Sequence, residues 1–208
     1  MKGIKIDVDG TITELDIKTD PTYVGINDAL GSEIFEVVRT RVTGDDGERI
    51  VLLVDESGLC KGLPFNEVGN VVASLWGYNS SQLVGPVLIM AEDMTDEGPD
   101  LVDMYEIVYD RLLEILTVIS KQFYGEPVSL YEQLKLSAML EEEVSGPYLI
   151  KVEDKERLEE AMAKKEYDLL KSIMTYSPES IPDDEHEDYA MFYLSTKQEF
   201  NHKSTLLH

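Results

Sequence analysis

The segment Ile50-Val51-Leu52-Leu53-Val54 limits the fold of this chain more than any other. Turn signals bracket it, Gly44-Asp45-Asp46-Gly47 before and Asp55-Glu56-Ser57-Gly58 after. A short, continuous apolar run of this kind suits a central β-strand. Weaker signals surround it. Residues 3–8 alternate apolar and polar side chains, Asp9-Gly10 is a hairpin turn signal, and residues 11–17 alternate again. Residues 33–42 read as a third strand, and residues 82–90 as a last one whose Pro86 marks an edge or a bulge. Asp20-Pro21 and Gly31 bracket a short helix, and Asn66 caps a second that runs to Leu75. Short connections between the strands predict a mixed or mostly antiparallel sheet over residues 1–91.

The remainder, residues 92–208, reads as mainly helical. Helices are predicted over 100–124, over 129–143 from the capping box Ser129-Leu130-Tyr131-Glu132, and over 154–174. Short strands are expected at 148–152 and 189–194, with an acidic, proline-containing linker at 177–188 between the third helix and the last strand. The fold class is therefore α+β, a small β-rich domain at 1–91 followed by an acidic, mainly helical region at 92–208.

Charge separates the same two parts. The 208 residues carry 42 acidic and 18 basic side chains, a net charge of −24. Residues 1–91 hold 14 acids and 7 bases, and residues 92–208 hold 28 and 11. With 43% hydrophobic residues the chain folds rather than remaining a disordered acidic tail. A surface this negative repels nucleic acid and anionic membranes, so no direct binding to DNA, RNA or a membrane is expected. It favours basic partners. The single Cys60 rules out an intramolecular disulfide, and no apolar run is long enough to span a membrane. A cytoplasmic protein is expected.

Asp7-Val8-Asp9-Gly10-Thr11 matches the nucleophile motif of haloacid dehalogenase-like phosphatases, in which Asp7 would attack phosphorus and Asp9 would act as general acid and base. The alternation after it favours a hairpin instead, because the phosphatase fold requires a loop and a crossover helix there. Asp45-Asp46 comes too early to serve as the acidic metal motif. His186, His202 and His208 fit no zinc spacing, and His186 lies among acids that favour its positive form. No cofactor or metal is expected.

Three stretches carry a resemblance: Glu33-Ile34-Phe35-Glu36-Val37-Val38; then Val54 through Asn66, with Asp55-Glu56-Ser57-Gly58 and Gly62-Leu63-Pro64-Phe65-Asn66; then Leu83-Val84-Gly85-Pro86-Val87-Leu88. In order and spacing they resemble a small domain of unknown function found widely in bacteriophages and bacterial mobile elements. The resemblance covers residues 1–91 and departs at Gly31-Ser32, where members often have paired glycines. It implies a phage or mobile-element origin and no particular reaction.

On a helical wheel, Asp100, Asp103, Glu106, Asp110 and Glu114 fall on one side of the predicted helix 100–124, opposite Leu101, Met104, Tyr105, Val108, Leu112, Ile115 and Ile119. Only Arg111 lies near the acids to relieve them. Carboxylates three or four residues apart sit about 5–6 Å from one another, close to the spacing of phosphates along a strand. The expectation is a non-catalytic interaction protein whose five acids occupy the basic cleft of a host nucleic-acid enzyme or defence complex, inhibiting or redirecting it as a nucleic-acid mimic. The alternative is a small-molecule binder, for example of a nucleotide signal, provided Arg39, Arg41, Arg49 and Lys61 converge on one patch. A homodimer through a paired sheet edge is compatible with either.

Overall fold

The computed structural model describes residues 1–195 except 19–20, 45–46, 79–80, 140–143 and 165. The chain divides into two compact units, Met1–Ser120 and a second that begins at Lys121. No helix among the described residues is long and apolar enough to cross a membrane.

The first unit is built on an antiparallel sheet. β1 (Lys2–Ile6) turns at Asp9-Gly10 into β2 (Ile12–Asp16), and α1 (Thr22–Leu30) follows. Pro21 precedes the first helical turn rather than opening it, the predicted cap Asp20 lies outside the described residues, and Gly31 ends α1 with φ 65°. β3 (Phe35–Thr43) and β4 (Arg49–Asp55) come next, then two helices, α2 (Gly58–Lys61) and α3 (Glu67–Leu75). β5 (Val87–Thr95), β6 (Gly98–Val102) and α4 (Glu106–Phe123) complete the series, α4 belonging to this unit through Ser120. The strand order is β2-β1-β5-β4-β3. β1 pairs with β5 only over Val87, Leu88 and Ile89, and β6 pairs with β5 from Ala91 onward. The apolar run of β4 lies between β3 and β5, as a central strand should.

The sheet has two apolar faces. Val51, Leu53, Leu88 and Met90 pack with Ile26 and Leu30 of α1 and with Ile17. Ile4, Ile6, Ile50, Leu52, Val87 and Ile89, all fully buried, form the other face. α3 lies there so closely that a Cβ at Gly69 would come within 2.9 Å of Val87. Glu14, opposite Ile4 in the ladder, points to this side and accepts a hydrogen bond of 3.2 Å from the Tyr109 hydroxyl of α4. Burial first, and then the Glu14 charge, push Tyr109 up to about 12.

Asn66 joins these parts. Its side chain is fully buried; Oδ1 accepts from Gly69 N–H at 2.8 Å and caps α3, while Nδ2 donates to Ile6 O and Gly85 O at 3.0 and 2.9 Å. One amide thus satisfies a helix end, the end of β1 and the approach to β5.

The second unit contains β7 (Val128–Ser129), α5 (Leu130–Met139), β8 (Val144–Lys151), α6 (Lys155–Lys164), α7 (Tyr167–Leu170), β9 (Met174–Thr175) and β10 (Tyr189–Ser195). β10 pairs with β8 and β7 with β9. Leu130, Leu134, Ile150, Ala161, Leu170 and Ile173 form its core. The capping box holds: Ser129 N–H donates to Glu132 Oε2 at 2.8 Å, and Glu132 N–H to Ser129 Oγ at 3.2 Å.

Four sequence expectations require correction, the first being the helix over 154–174, of which α6 ends at Lys164, α7 forms one turn over Tyr167–Leu170 and Met174 belongs to β9. The predicted helix 100–124 begins only at Glu106, because residues 98–102 pair with the part of β5 that β1 leaves uncovered. The charge break near Ala91 falls inside β5, and the unit boundary lies at Ser120 because β6 and α4 complete the first sheet. The predicted linker 177–188 folds into 3-10 turns, preceded by a bridge between Tyr176 and Leu149.

Two outcomes test these contacts. Asn66→Ala leaves buried groups of three segments unpaired and should lower stability by about 2–4 kcal/mol in urea unfolding; a loss below about 1 kcal/mol would mean that water replaces the amide. Burial raises the Glu132 carboxyl, but Lys121 and the Ser129 N–H and hydroxyl together outweigh it and hold the group below its ordinary value of 4.5. Its contribution is therefore present above pH 4.5 and lost as pH falls through the lowered value. Glu132→Gln should cost about 1 kcal/mol at pH 7, and the gap to the parent should close in acid. A gap that does not change with pH would refute the ionic part of the cap.

Candidate functional site

Residues 92–114 hold nine acids and one base, Arg111. The β5–β6 hairpin sorts them. Its turn, Thr95-Asp96-Glu97-Gly98, closes with Thr95 Oγ1 donating to Gly98 O at 2.7 Å, and Gly98 takes φ 119°, a conformation that favours glycine. The register sets Asp93 directly opposite Asp100 and Glu92 opposite Leu101. Asp93, Asp96, Glu97 and Asp100 are exposed, and among the described residues none of the four makes an ion pair. Met94 stands between them, 74% exposed. Like charges directly opposite in a ladder destabilise it.

The five residues predicted to share one helical stripe therefore part company. Asp100 lies in β6. Asp103 precedes α4, where its carboxylate accepts the Lys2 N–H at 2.9 Å and lies 3.8 Å from the Met1 amine. Glu106 opens α4 and is 3.7 Å from Lys2 Nζ, which also sits 5.1 Å from the centre of the Tyr109 ring. Two of the five thus hold the start of the chain in place. Asp110 is exposed and Glu114 half-buried, on the helix as expected. The wheel missed Asp93, Asp96 and Glu97, although Asp96-Glu97-Gly98-Pro99 is a readable turn signal that breaks the helical pattern.

Beside the hairpin lies an open groove of about 380 Å³, lined by Tyr23, Phe35, Val37 and Leu101 together with Arg39, Glu92 and Asp100. Arg39 holds Glu92 through two hydrogen bonds, Nε to Oε2 at 2.8 Å and Nη2 to Oε1 at 2.7 Å. The Glu92 side chain is 9% exposed, so the charge within the groove is neutralised. Asp100 brings to the same place a carboxylate that accepts the Leu101 N–H at 2.9 Å and makes no ion pair among the described residues.

The other candidates are structural. Asp7 and Asp9 lie in the β1–β2 turn, where Asp7 N–H bonds Thr11 O, Asp7 Oδ1 is 2.8 Å from Lys5 Nζ, and Thr11 N–H donates to Asp9 Oδ1 at 3.0 Å. The Thr11 bonds hold the Asp9 carboxyl below its ordinary value. β1 continues into an antiparallel neighbour, where the phosphatase fold has a crossover helix. Of the four cations that a nucleotide site would recruit, Arg39 is committed to Glu92 and Lys61 to Asp55 at 2.7 Å. A ring nitrogen of His186 pairs with Ile181 O at 3.0 Å. Asp45, Asp46, His202 and His208 lie outside the described residues.

Arg39→Met leaves Glu92 charged and enclosed without its partner and should lower stability by about 2–4 kcal/mol, much of it restored by Arg39→Met with Glu92→Leu. A single variant as stable as the parent would show that Glu92 is hydrated within the groove. Neither a family model, a curated protein nor a solved structure matches this chain.

Proposed function

We propose that this chain is a non-catalytic binding protein that engages a basic surface of another protein through the β5–β6 hairpin and the groove beside it. The observation that carries this reading is the set of four exposed carboxylates on one hairpin that make no ion pair among the described residues, two of them opposed in register. A sheet built for stability alone would place a lysine opposite an aspartate. Partner arginines or lysines seated there would relieve that repulsion and gain charge-assisted hydrogen bonds. Tyr23 and Leu101 in the groove supply apolar area for an anchor side chain.

Asp110 on α4 adds a further carboxylate to the first unit, whereas Asp103 and Glu106 serve the fold. Partners of matching chemistry are proteins with arginine- and lysine-lined clefts, such as nucleic-acid enzymes and defence complexes of a bacterial host. The likeness of residues 1–91 to a phage domain agrees with that choice. An acidic protein in such a cleft takes the place of phosphate, so the association is fast and salt-sensitive.

The test is capture from bacterial lysate at low and high salt, with mass spectrometry of the eluate. The parent should enrich a basic nucleic-acid-binding or defence protein that is lost at high salt. The variant Asp96→Lys with Glu97→Lys, in an exposed turn, should keep the parent's circular dichroism and lose about tenfold or more of that capture. Equal capture by the variant would remove the hairpin from the interface, and absence of any salt-sensitive partner would overturn the function.

A further inference from the structure

The sheet of the first unit ends at β2 on one side and at β3 on the other. Ile34 O accepts from Glu56 N–H at 3.2 Å, so the even-numbered residues of this stretch bond toward β4 and the odd-numbered ones turn their N–H and C=O outward. Arg41 obeys the same alternation and donates to Trp76 O at 3.0 Å. Phe35, Val37 and Arg39 turn outward as well, and among the described residues their outward backbone groups have no partner. An edge left open in this way is a template for another strand.

The sequence of this edge is complementary to itself. Two copies laid antiparallel about a two-fold axis at Val37 set Phe35 opposite Arg39, Val37 opposite Val37 and Arg39 opposite Phe35, with about six backbone hydrogen bonds between them. Each Phe35 ring then meets a guanidinium whose charge Glu92 already balances. Just beyond either end, Glu33 comes opposite Arg41. Both are exposed, and neither makes an ion pair among the described residues. The edge at β2 has no such match. Asp7 N–H bonds Thr11 O and Ile17 N–H bonds Met1 O, so Ile12, Glu14 and Asp16 turn outward there. The same operation about Glu14 sets that carboxylate against its own copy, and like charges directly opposite destabilise a ladder.

We propose that two copies of this chain pair through β3, so that the sheet continues across a two-fold axis at Val37. The pairing does not rest on the hairpin reading, because β6 pairs with β5 on the side away from β4 and β3. Directly opposed residues share a face, so the grooves lined by Phe35, Val37 and Arg39 of both copies open on the same side of the joined sheet. A ladder this short lies at the small end of protein interfaces, which makes the association micromolar rather than nanomolar.

The test is sedimentation equilibrium of the full chain from about 5 to 500 µM in about 0.15 M salt, where repulsion between two negative chains is screened beyond about 8 Å. The mass should rise from that of one chain toward that of two. Amide hydrogen exchange, followed by NMR at both ends of the range, should slow at Phe35, Val37 and Arg39 and stay constant at Ile12, Glu14 and Asp16. Val37→Lys sets two lysines against each other on the axis and should weaken the dimer about fivefold or more. Glu33→Lys and Arg41→Glu, both at exposed positions, should each weaken it about three- to tenfold, and the two together should return it to within about twofold of the parent. The charge variants carry the test if Val37→Lys does not fold. A response to net charge alone would instead tighten the dimer of Glu33→Lys, which is the less negative chain. Three results would overturn the proposal: the mass of one chain at every concentration, protection that rises elsewhere than at β3, or single charge variants that leave the dimer unchanged or follow net charge.

Discussion

Three segments of the first unit reach one another through a single side-chain amide. β1 ends with a carbonyl at Ile6, the chain approaches β5 with a carbonyl at Gly85, and α3 begins with an unsatisfied N–H at Gly69. Asn66 meets all three from a fully buried position. Asparagine has the required complement: two donors and an acceptor on a side chain short enough to leave the helix packed. Aspartate would place an acceptor oxygen, in the position of Nδ2, against both carbonyls, and serine would reach only the helix. The close approach of α3 to Val87, which leaves no room for a Cβ at Gly69, follows from this cap.

With that frame fixed, the acids of the first unit divide by what surrounds them. Asp55 and Glu92 are enclosed and have cations of their own, Lys61 and Arg39. Asp103 and Glu106 secure the start of the chain. Those on the β5–β6 turn are left to solvent. Net charge alone cannot distinguish these classes, since the distinction lies in the nearest donor and the depth of burial. The surface proposed to meet a partner is therefore much smaller than a net charge of −24 suggests.

Features set by a few consecutive residues were legible in the sequence. The Asp9-Gly10 hairpin, the Asn66 and Ser129 caps and the central strand around Leu52 all depend on local chemistry, and each stands where the residues indicate. The five-acid stripe misled because a helical wheel is blind to the sheet. Residues 100–102 share the spacing of the helix that follows, yet β5 offers them an open edge, and pairing there outweighs a first turn crowded with like charges. A polar cavity of about 280 Å³ in the second unit was not legible at all, because its lining comes from residues 122–133, 148 and 175–179.

Asp93 and Asp100 lie opposite each other in the middle of the β5–β6 ladder, which runs from Ala91–Val102 to the Thr95–Gly98 turn. The hairpin is therefore a spring under slight compression, closed by its backbone ladder and pushed open by charge. Any cation that settles between the two carboxylates removes the push and leaves the ladder. If the hairpin is the binding surface proposed above, occupancy and stiffness rise together there, and the exchange of its backbone hydrogens slows when a basic partner fills it.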